Sequence, residues 1–393
     1  MPFLRPARNS SGPALPLSAF YAASFLVTGI QLPFWPVWLA GRGLGPQEIA
    51  LVFAAAIWVK VFATPAIGAL ADRLGQHRPV MLILAGTAFT GYAALWPASG
   101  FAAVLALNLV AATAQGSLMP LGDSITLGAV RNRRIDYGRT RVWGSLSFVV
   151  GAVGSGAVLA VAGSSDPGAD LVLPLILAAS ALLWLSCLAI PAPAAVPVGA
   201  SRWAALGALV ADRRFWLFVA TAAALQSSHQ LYYGFGSLYW RSLGFSDAVI
   251  GVLWGEAVVA EIALFWYGGR LVAMLGPLGL MGVGGLAGVL RWGLAGILPG
   301  LEVAAALQLL HALTFGACHL GAMHFLARTV PPAAAASAQA LYAGLSAGIG
   351  SGLVMLGAGM LYAAIGGQGY LFMALLSALG TVGVLFLRRM PRG

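Results

Sequence analysis

Apolar residues occur along this chain in long blocks that are separated by short polar links. A helix needs about 20 apolar residues to cross a bilayer, whereas a membrane β-strand shows about ten residues of alternating character. Twelve blocks have the helical length, at residues 15–40, 46–71, 79–97, 101–129, 138–163, 170–190, 214–240, 246–268, 275–298, 301–327, 334–363 and 368–387. The pattern predicts an all-α polytopic membrane protein with twelve transmembrane helices.

Composition supports the same class of protein. Of the 393 residues, 60% are hydrophobic and only 8% are charged, too little charge for the surface of a soluble domain of this size. The net charge of +10 could indicate a nucleic-acid partner, but most arginines lie in the links, as expected for cytoplasmic loops. Cys187 and Cys318 both fall in apolar runs, which argues against a disulfide or a metal site.

The basic residues also predict an orientation. One alternate set of links and both tails hold seventeen arginines, whereas the opposite set holds only Arg42 and Arg241. Because cytoplasmic loops carry the excess of lysine and arginine, both termini are expected in the cytoplasm of a bacterium, with the chain in its inner membrane. Residues 1–16 are then a cytoplasmic tail and not a cleaved signal peptide.

The longest polar link divides the spans six and six. It is proline-rich at its start and basic at its end, and it predicts an N-terminal bundle at residues 1–190, a cytoplasmic linker at 191–213 and a C-terminal bundle at 214–393. Two related six-helix bundles with a solute site between them at mid-membrane are a common transporter design.

Five charged residues fall clearly inside predicted spans, away from the span ends: Lys60, Asp123, Glu256, Glu261 and Arg291. Arg141 lies about one turn inside the fifth span. Charged groups in hydrocarbon cost several kcal/mol, so each of them needs a partner or a function. Structural ion pairs between helices remain the alternative for any single residue.

Polar side chains also form stripes on otherwise apolar spans. At 100° per residue, they share one face in the first, fourth, seventh and tenth spans, which predicts a lined central cavity. Glu256 and Glu261 are about 140° apart on the eighth span, so they cannot both face that cavity squarely. His311 and His319 either relay a proton beside a carboxylate or stay neutral and orient the solute.

The segment GALADRLGQHR, residues 68–78, places an acid and three basic side chains between the second and third spans. Its order of glycine, acid and arginine resembles the loop of major facilitator superfamily transporters that locks the two halves together on the cytoplasmic side. The resemblance implies a cytoplasmic gate formed by Gly68, Asp72, Arg73, Gly75 and Arg78.

Further blocks resemble the phenylpropionate-permease branch of that superfamily, which is related to the lactose permease and to nucleoside–proton symporters. They occur in order along nearly the whole chain, as LPFWPVWL (32–39), DYGRTRVWGS (136–145), YYGF (232–235), AVVAE (257–261), LRWG (290–293) and LHALTFGACH (310–319).

The likeness to the lactose permease is partial. Asp123 and Arg141 keep the spacing of the acid and arginine that hold the sugar, and Arg291 and His311 resemble its coupling arginine and histidine. Gln308 and Thr314 stand where that permease has a lysine and a glutamate. If proton coupling is retained here, its acid must be Glu261, Glu256 or Asp123.

These observations predict a proton-coupled symporter that imports a small organic solute, an aromatic or other carboxylic acid, and that acts as a monomer in the bilayer. Lys60 is expected to hold the substrate carboxylate, unless it snorkels or pairs with Asp123. The substrate-binding candidates are Lys60, Asp123, Arg141, Gln31, Trp35, Gln115, His229, Tyr233, Gln308 and Gln339. The proton-coupling candidates are Glu261, Glu256, Arg291, His311 and His319.

Three alternatives remain from the sequence. The Asp123–Arg141 pair favours a sugar or nucleoside symporter. Drug export would usually show a Gly-Pro dipeptide in the fifth span, which has Gly144, Gly151, Gly154 and Gly156 but no proline. A membrane enzyme or assembly factor would need a nucleophile or a metal cluster. The sequence predicts no enzyme, cofactor, nucleotide, metal or nucleic-acid site.

Overall fold

The computed structural model describes residues 14–131, 135–162, 167–190, 210–331 and 334–390. Six helices form the first half: Ala14–Gly41, Pro46–Leu74, His77–Ala94, Phe101–Arg131, Tyr137–Val161 and Pro167–Leu188. The second half contains six more helical rods: Arg213–Ser227 with Gln230–Ser242, Asp247–Trp266, Gly268–Ile297, Leu301–Thr329, Ala335–Ile365 and Tyr370–Arg389. We number these rods first to twelfth along the chain.

The twelve predicted spans are confirmed. Within the described residues, nine stretches are long and apolar enough to cross a membrane, and the last of them, Ser337–Arg389, contains two rods joined at residues 366–369. The other two rods are the eighteen-residue third helix and the seventh, which is interrupted at Ser228 and His229. The seventh span is therefore not the continuous helix that was predicted.

The ninth helix begins earlier than predicted, at Gly268. Gly276 has φ of +67°, a left-handed conformation that glycine tolerates, and Pro277 is suited to the first turn of a new helix. The predicted start at residue 275 therefore marks the second piece of a kinked rod.

The rods form two six-helix bundles. Within the first, the first helix packs against the fifth and sixth; between the bundles, the fifth packs against the eighth and the second against the eleventh. Residues 191–209 of the predicted linker lie outside the described residues. The domain bounds at 190 and 214 stay a prediction.

Glycines allow the close crossings between the bundles. A Cβ atom at Gly251 would overlap the carbonyl oxygen of Ala152, and one at Gly359 would overlap the Cβ of Ala50. Small residues let helix backbones approach closely in membranes, where dispersion contacts replace the hydrophobic effect. These crossings hold the halves together near the ends of the rods at Ala50 and Gly251, which we call the far face.

The opposite ends carry most of the arginines, and we call this side the basic face. There the last turn of the second helix is exposed: Asp72 and Arg73 are solvent-accessible, and nothing lies within 4 Å of a Cβ built on Gly68. In the described residues, the second helix therefore packs against the other bundle near the far face and in its middle, and its last turn is exposed at the basic face.

Two rods of the second half contain π-helical turns, at Ala312–Ala317 in the tenth and Ala343–Gly350 in the eleventh. Such turns widen the backbone spacing and occur frequently at functional sites. The first of them carries Thr314 and follows His311 directly.

Candidate functional site

Lys60 lies in the middle of the second helix and lines a cavity of about 310 Å³ in the first half. Its methylene chain lies against Gly116 of the fourth helix, where a Cβ would be 2.6 Å from the lysine Cδ. Among the described residues, no carboxylate lies within ion-pair distance of its ammonium group. The proposed pairing of Lys60 with Asp123 is therefore absent here, and the cation faces the cavity unpaired.

A directed chain of hydrogen bonds forms one wall of this cavity. The Tyr92 hydroxyl donates to Gln115 Oε1 at 2.8 Å, and Gln115 Nε2 donates to Gln31 Oε1 at 2.9 Å. Because the carboxamide oxygens of both glutamines accept these bonds, the Nε2 group of Gln31 is left as a donor. Two of the predicted substrate residues, Gln31 and Gln115, thus lie beside Lys60.

Ser24 supplies another donor to the same cavity. Its hydroxyl oxygen is buried and has no hydrogen-bond partner among the described residues. Buried polar groups are normally satisfied, and an unpaired one requires an explanation. A ligand in the cavity would provide the missing partner.

Asp123 and Arg141 lie in the first half without forming an ion pair with each other. Tyr21 donates a hydrogen bond of 2.5 Å to Asp123 Oδ1, and Tyr137 donates one of 3.4 Å to the same oxygen. The Arg141 guanidinium lies over the Phe25 ring at 3.9 Å and the Tyr21 ring at 5.4 Å from the ring centroids. The Asp123–Arg141 pair that favoured a sugar is therefore not formed in this structure.

In the second half, Arg291 is 1% exposed, and its guanidinium donates three described hydrogen bonds, all to neutral partners. It donates to Gln308 Oε1 at 2.7 Å, Thr314 Oγ1 at 2.9 Å and His311 Nδ1 at 3.0 Å. It also lies 4.3 Å from the centroid of the Trp292 ring. No described carboxylate lies within 4 Å of it, so Arg291 forms no structural ion pair with Glu256 or Glu261 in this structure.

The contact with Arg291 fixes the tautomer of His311. A guanidinium only donates, so Nδ1 of His311 must be the acceptor and the proton of the neutral ring must be on Nε2. That nitrogen lies 3.9 Å from Glu261 Oε2 of the eighth helix. The eighth helix, which carries Glu261, packs against the fifth helix of the first half, which carries Arg141. Glu261 therefore lies between the Arg291 network and the other bundle.

His229 and Gln308 were predicted as substrate residues, but the structure places both in the Arg291 network, not in the Lys60 cavity. His229 is fully buried, with Nδ1 donating to the Gln226 carbonyl at 3.2 Å and Nε2 lying 3.1 Å from Thr314 Oγ1. Gln308 Nε2 donates to the Tyr232 hydroxyl at 2.8 Å. Their polar groups are therefore largely used within the protein.

Other predicted residues lie at the edges of these two clusters. Trp35 is buried, donates to Asn108 Oδ1 at 3.1 Å and stacks on Trp38, so it supports the first half from within. Tyr233 stacks on His229 and Trp254. The ring of Phe315 stacks between His311 and His319.

Glu256 and Gln339 lie apart from both clusters and have no described hydrogen-bond, ion-pair or ring contact. Glu256 is half-buried in the eighth helix and has no described partner, whereas Gln339 is exposed at the start of the eleventh rod. The structure thus distinguishes Glu261, which approaches His311, from Glu256, which does not.

The gate residues bond within the first half. Asp72 Oδ1 lies 2.9 Å from His77 Nε2, Arg78 donates to the carbonyl oxygen of Leu188, and Gly75 ends the second helix with φ of +61°. Arg73 is exposed. In this arrangement the predicted lock between the halves is open.

The sequence analysis missed Ser24, Tyr92 and Thr314. Ser24 was detectable because it lies four residues before Thr28, on the polar face of the first helix. Tyr92 lies on a helix without a polar stripe, and Thr314 was treated only as the replacement of an acid. Their roles depend on partners from other helices, which sequence spacing does not reveal.

Comparison with known proteins identifies the family to which this chain belongs. Residues 14–374 match the MFS_1 like family. The chain is 30% identical over 367 residues to the probable 3-phenylpropionic acid transporter of Escherichia coli (strain K12), covering 92% of this chain and 94% of that one. It is 26% identical to the maltose permease of Geobacillus stearothermophilus, over 95% of this chain and 94% of that permease.

A solved structure shows the same fold. The crystal structure of the nucleoside transporter NupG superposes with a TM-score of 0.84 at 18% identity, covering 96% of this chain and all of that one. The family match, the relatives and the fold are those of multi-pass membrane transporters and not of enzymes. The chain belongs to the MFS_1 like family and is a transporter of the major facilitator type.

Proposed function

We propose that this transporter imports a small carboxylic acid, preferably an aromatic one, together with a proton, across a bacterial inner membrane with both termini in the cytoplasm. The observation that carries the proposal is the unpaired ammonium group of Lys60 in a cavity of about 310 Å³. A cation desolvated in this way gains most from an anionic ligand, because a charge-assisted hydrogen bond is stronger where the dielectric is low.

The groups around Lys60 suit a carboxylate. Gln31 Nε2 and the Ser24 hydroxyl are donors in the wall of this cavity, and the Ser24 hydroxyl has no described acceptor. A carboxylate has two oxygens with about four acceptor positions, so it could satisfy all three donors. The remaining lining includes Met119, Leu183 and Ala112, which are compatible with an apolar or aromatic body.

Coupling to a proton is assigned to Glu261. It lies 3.9 Å from the proton-bearing Nε2 of His311, and its helix packs against the fifth helix of the other bundle, which carries Arg141. Protonation of Glu261 would remove its attraction to Arg141. Movement of the two bundles is thereby linked to the protonation state of one carboxyl group.

The aromatic preference rests on the relative from Escherichia coli, whose name specifies 3-phenylpropionic acid. That compound is therefore the first substrate to test. Labelled 3-phenylpropionate is offered to proteoliposomes with an acidic exterior, beside protein-free liposomes that measure passive entry. We expect gradient-dependent uptake, and uptake that ignores the gradient would contradict proton coupling.

Lys60→Gln tests the carboxylate contact separately. Loss of one charge-assisted hydrogen bond costs about 1.5–3 kcal/mol, so binding of the acid should weaken about 10- to 100-fold. The uncharged 3-phenylpropionamide serves as the matched ligand, and its binding affinity should change little in the Lys60→Gln variant. Equal weakening for the acid and the amide would assign Lys60 a structural role.

A neutral polar solute is the second candidate. Similarity to a maltose permease and to a nucleoside transporter favours it. Maltose and uridine therefore belong in the same uptake assay. Under this alternative, their transport would survive the Lys60→Gln change.

A further inference from the structure

A second large pocket lies on the basic face of the second half, away from the Lys60 cavity and the Arg291 network. Its volume is about 990 Å³, and it forms where the seventh helix begins, the ninth restarts and the tenth and twelfth end. Its charged lining consists of Arg213, Arg214, Arg328 and Arg388, with Asp212 as the acid.

The acid leaves most of this positive charge uncompensated. Asp212 Oδ1 accepts a hydrogen bond of 2.8 Å from the backbone N–H of Arg214, so the carboxylate caps its own helix. Among the described residues, no carboxylate lies within ion-pair distance of Arg213, Arg328 or Arg388. Four guanidinium groups from three rods therefore converge on one pocket.

The backbone adds to the positive potential. Arg213 and Arg214 occupy the first turn of the seventh helix, where the helix dipole favours acids and disfavours bases. The ninth helix restarts at Pro277 after the kink, and Arg388 Nη2 lies 3.3 Å from a Cβ built on Gly279 in its first turn. Arginines beside two helix N-termini are unfavourable unless an anion joins them.

The rim of the pocket is apolar. Leu275 lines it and is 42% exposed, and Met274 beside it is 79% exposed. Both belong to the short helical segment before Gly276. Exposed apolar side chains next to a basic pocket are compatible with lipid chains that lie beside a phosphate headgroup.

We propose that this pocket binds a phosphate-bearing anion, either the headgroup of an anionic phospholipid or a soluble phosphate. Arginine guanidinium groups bind phosphate oxygens through paired N–H donors, and the backbone N–H groups at a helix start bind the same anions. The site is separate from the solute path, and the proposal does not depend on the identity of the transported solute.

The test must separate this pocket from the general arginine excess of the basic face. The double variant R328Q/R388Q removes two lining charges, and R270Q/R389Q removes two exposed charges from the same face that do not line the pocket. The full-length protein is purified in detergent. Retention of phosphatidylglycerol and phosphatidylcholine is measured by native mass spectrometry, and inorganic phosphate is compared with chloride at equal ionic strength by thermal shift.

We expect the intact protein to retain phosphatidylglycerol or to be stabilised by phosphate, and R328Q/R388Q to bind at least about tenfold more weakly. R270Q/R389Q should bind as the intact protein does. A response to the lipid alone identifies a headgroup, and a response to phosphate alone identifies a soluble ligand. Equal loss in both variants, or no preference for either probe over its control, would overturn the proposal.

A thermal midpoint measured without lipid or phosphate checks the fold of each variant. Removal of arginines from an unoccupied pocket should leave that midpoint unchanged or raise it, because the charges repel one another. A marked fall would assign the arginines a structural role and would also overturn the proposal.

Discussion

The two halves of this transporter each contain a cation within a membrane span, and the surroundings of the two cations differ. In the first half, Lys60 projects into a cavity and has no described partner. In the second half, Arg291 is buried and its donors are taken by Gln308, His311 and Thr314. The first arrangement can accept an anion, whereas the second positions protein groups around a charge that stays in place.

Truncation of Arg291 should have the largest effect on stability. Arg291→Met leaves the acceptors of Gln308, His311 and Thr314 without their donor, and each buried unsatisfied group costs about 1–3 kcal/mol. We expect the free energy of unfolding to fall by about 4 kcal/mol, measured by thermal or denaturant unfolding in detergent. Exposed Arg270→Met should change it by less than about 0.5 kcal/mol. Similar values for both variants would contradict the comparison.

Glu261→Gln should abolish accumulation but not exchange. Movement of one proton down a pH difference of one unit releases about 1.36 kcal/mol. If one proton accompanies each solute, a pH difference of about two units therefore supports about 100-fold accumulation of the solute. A glutamine cannot carry that proton, and the internal solute should only reach the external concentration. Exchange of labelled for unlabelled solute, without a gradient, should persist.

Glu256→Gln is the matched control on the same helix, because Glu256 does not approach His311 in the structure. It should retain accumulation. The opposite result, in which Glu256→Gln loses coupling and Glu261→Gln keeps it, would reassign the proton site.

Gly251→Ala should disturb the contact between the halves. The added Cβ meets the Ala152 carbonyl, a backbone atom that cannot rotate away, and overpacking of this kind costs about 1–3 kcal/mol. We expect the far face to open, uptake to fall about tenfold and thiol labelling of an Ala50→Cys probe to increase. Gly154→Ala, whose Cβ would meet nothing within 4 Å, should change neither measurement.

Gly116→Ala should have the smallest effect. Its Cβ would lie 2.6 Å from Lys60 Cδ, but the end of a flexible side chain can move. We expect KM for 3-phenylpropionate to rise about threefold with little change in the maximal rate, since the lysine chain must move by about 0.8 Å to reach ordinary contact at 3.4 Å but keeps its charge. Gly128→Ala, in open space on the same helix, should leave KM unchanged.

The fold was largely predictable because bilayer thickness fixes the length of each apolar run. The breaks were predicted less well: Ser228 and His229 interrupt the seventh helix within the polar run QSSHQ at residues 226–230, which was interpreted only as part of a polar stripe. The dipeptide Gly276-Pro277 indicates a kink, but the helical segment before it, which begins at Gly268, was not predicted as part of the ninth helix.

The site was predictable only in part. Charges inside spans identified Lys60, Glu261 and Arg291, because such groups are costly in hydrocarbon. Their partners were not predictable: Arg291 binds neutral side chains and no acid, and Asp123 binds tyrosines and not Arg141. Sequence spacing orders residues on one helix, whereas these pairings depend on how neighbouring helices are packed.

The most direct test of the account is an experimental structure of the protein with 3-phenylpropionate bound. We predict one carboxylate oxygen within about 3 Å of Lys60 Nζ, the hydrogen-bond distance, with Ser24 and Gln31 donating to the same group. A carboxylate bound instead to Arg141 or Arg291, with Lys60 still unpaired, would contradict the account.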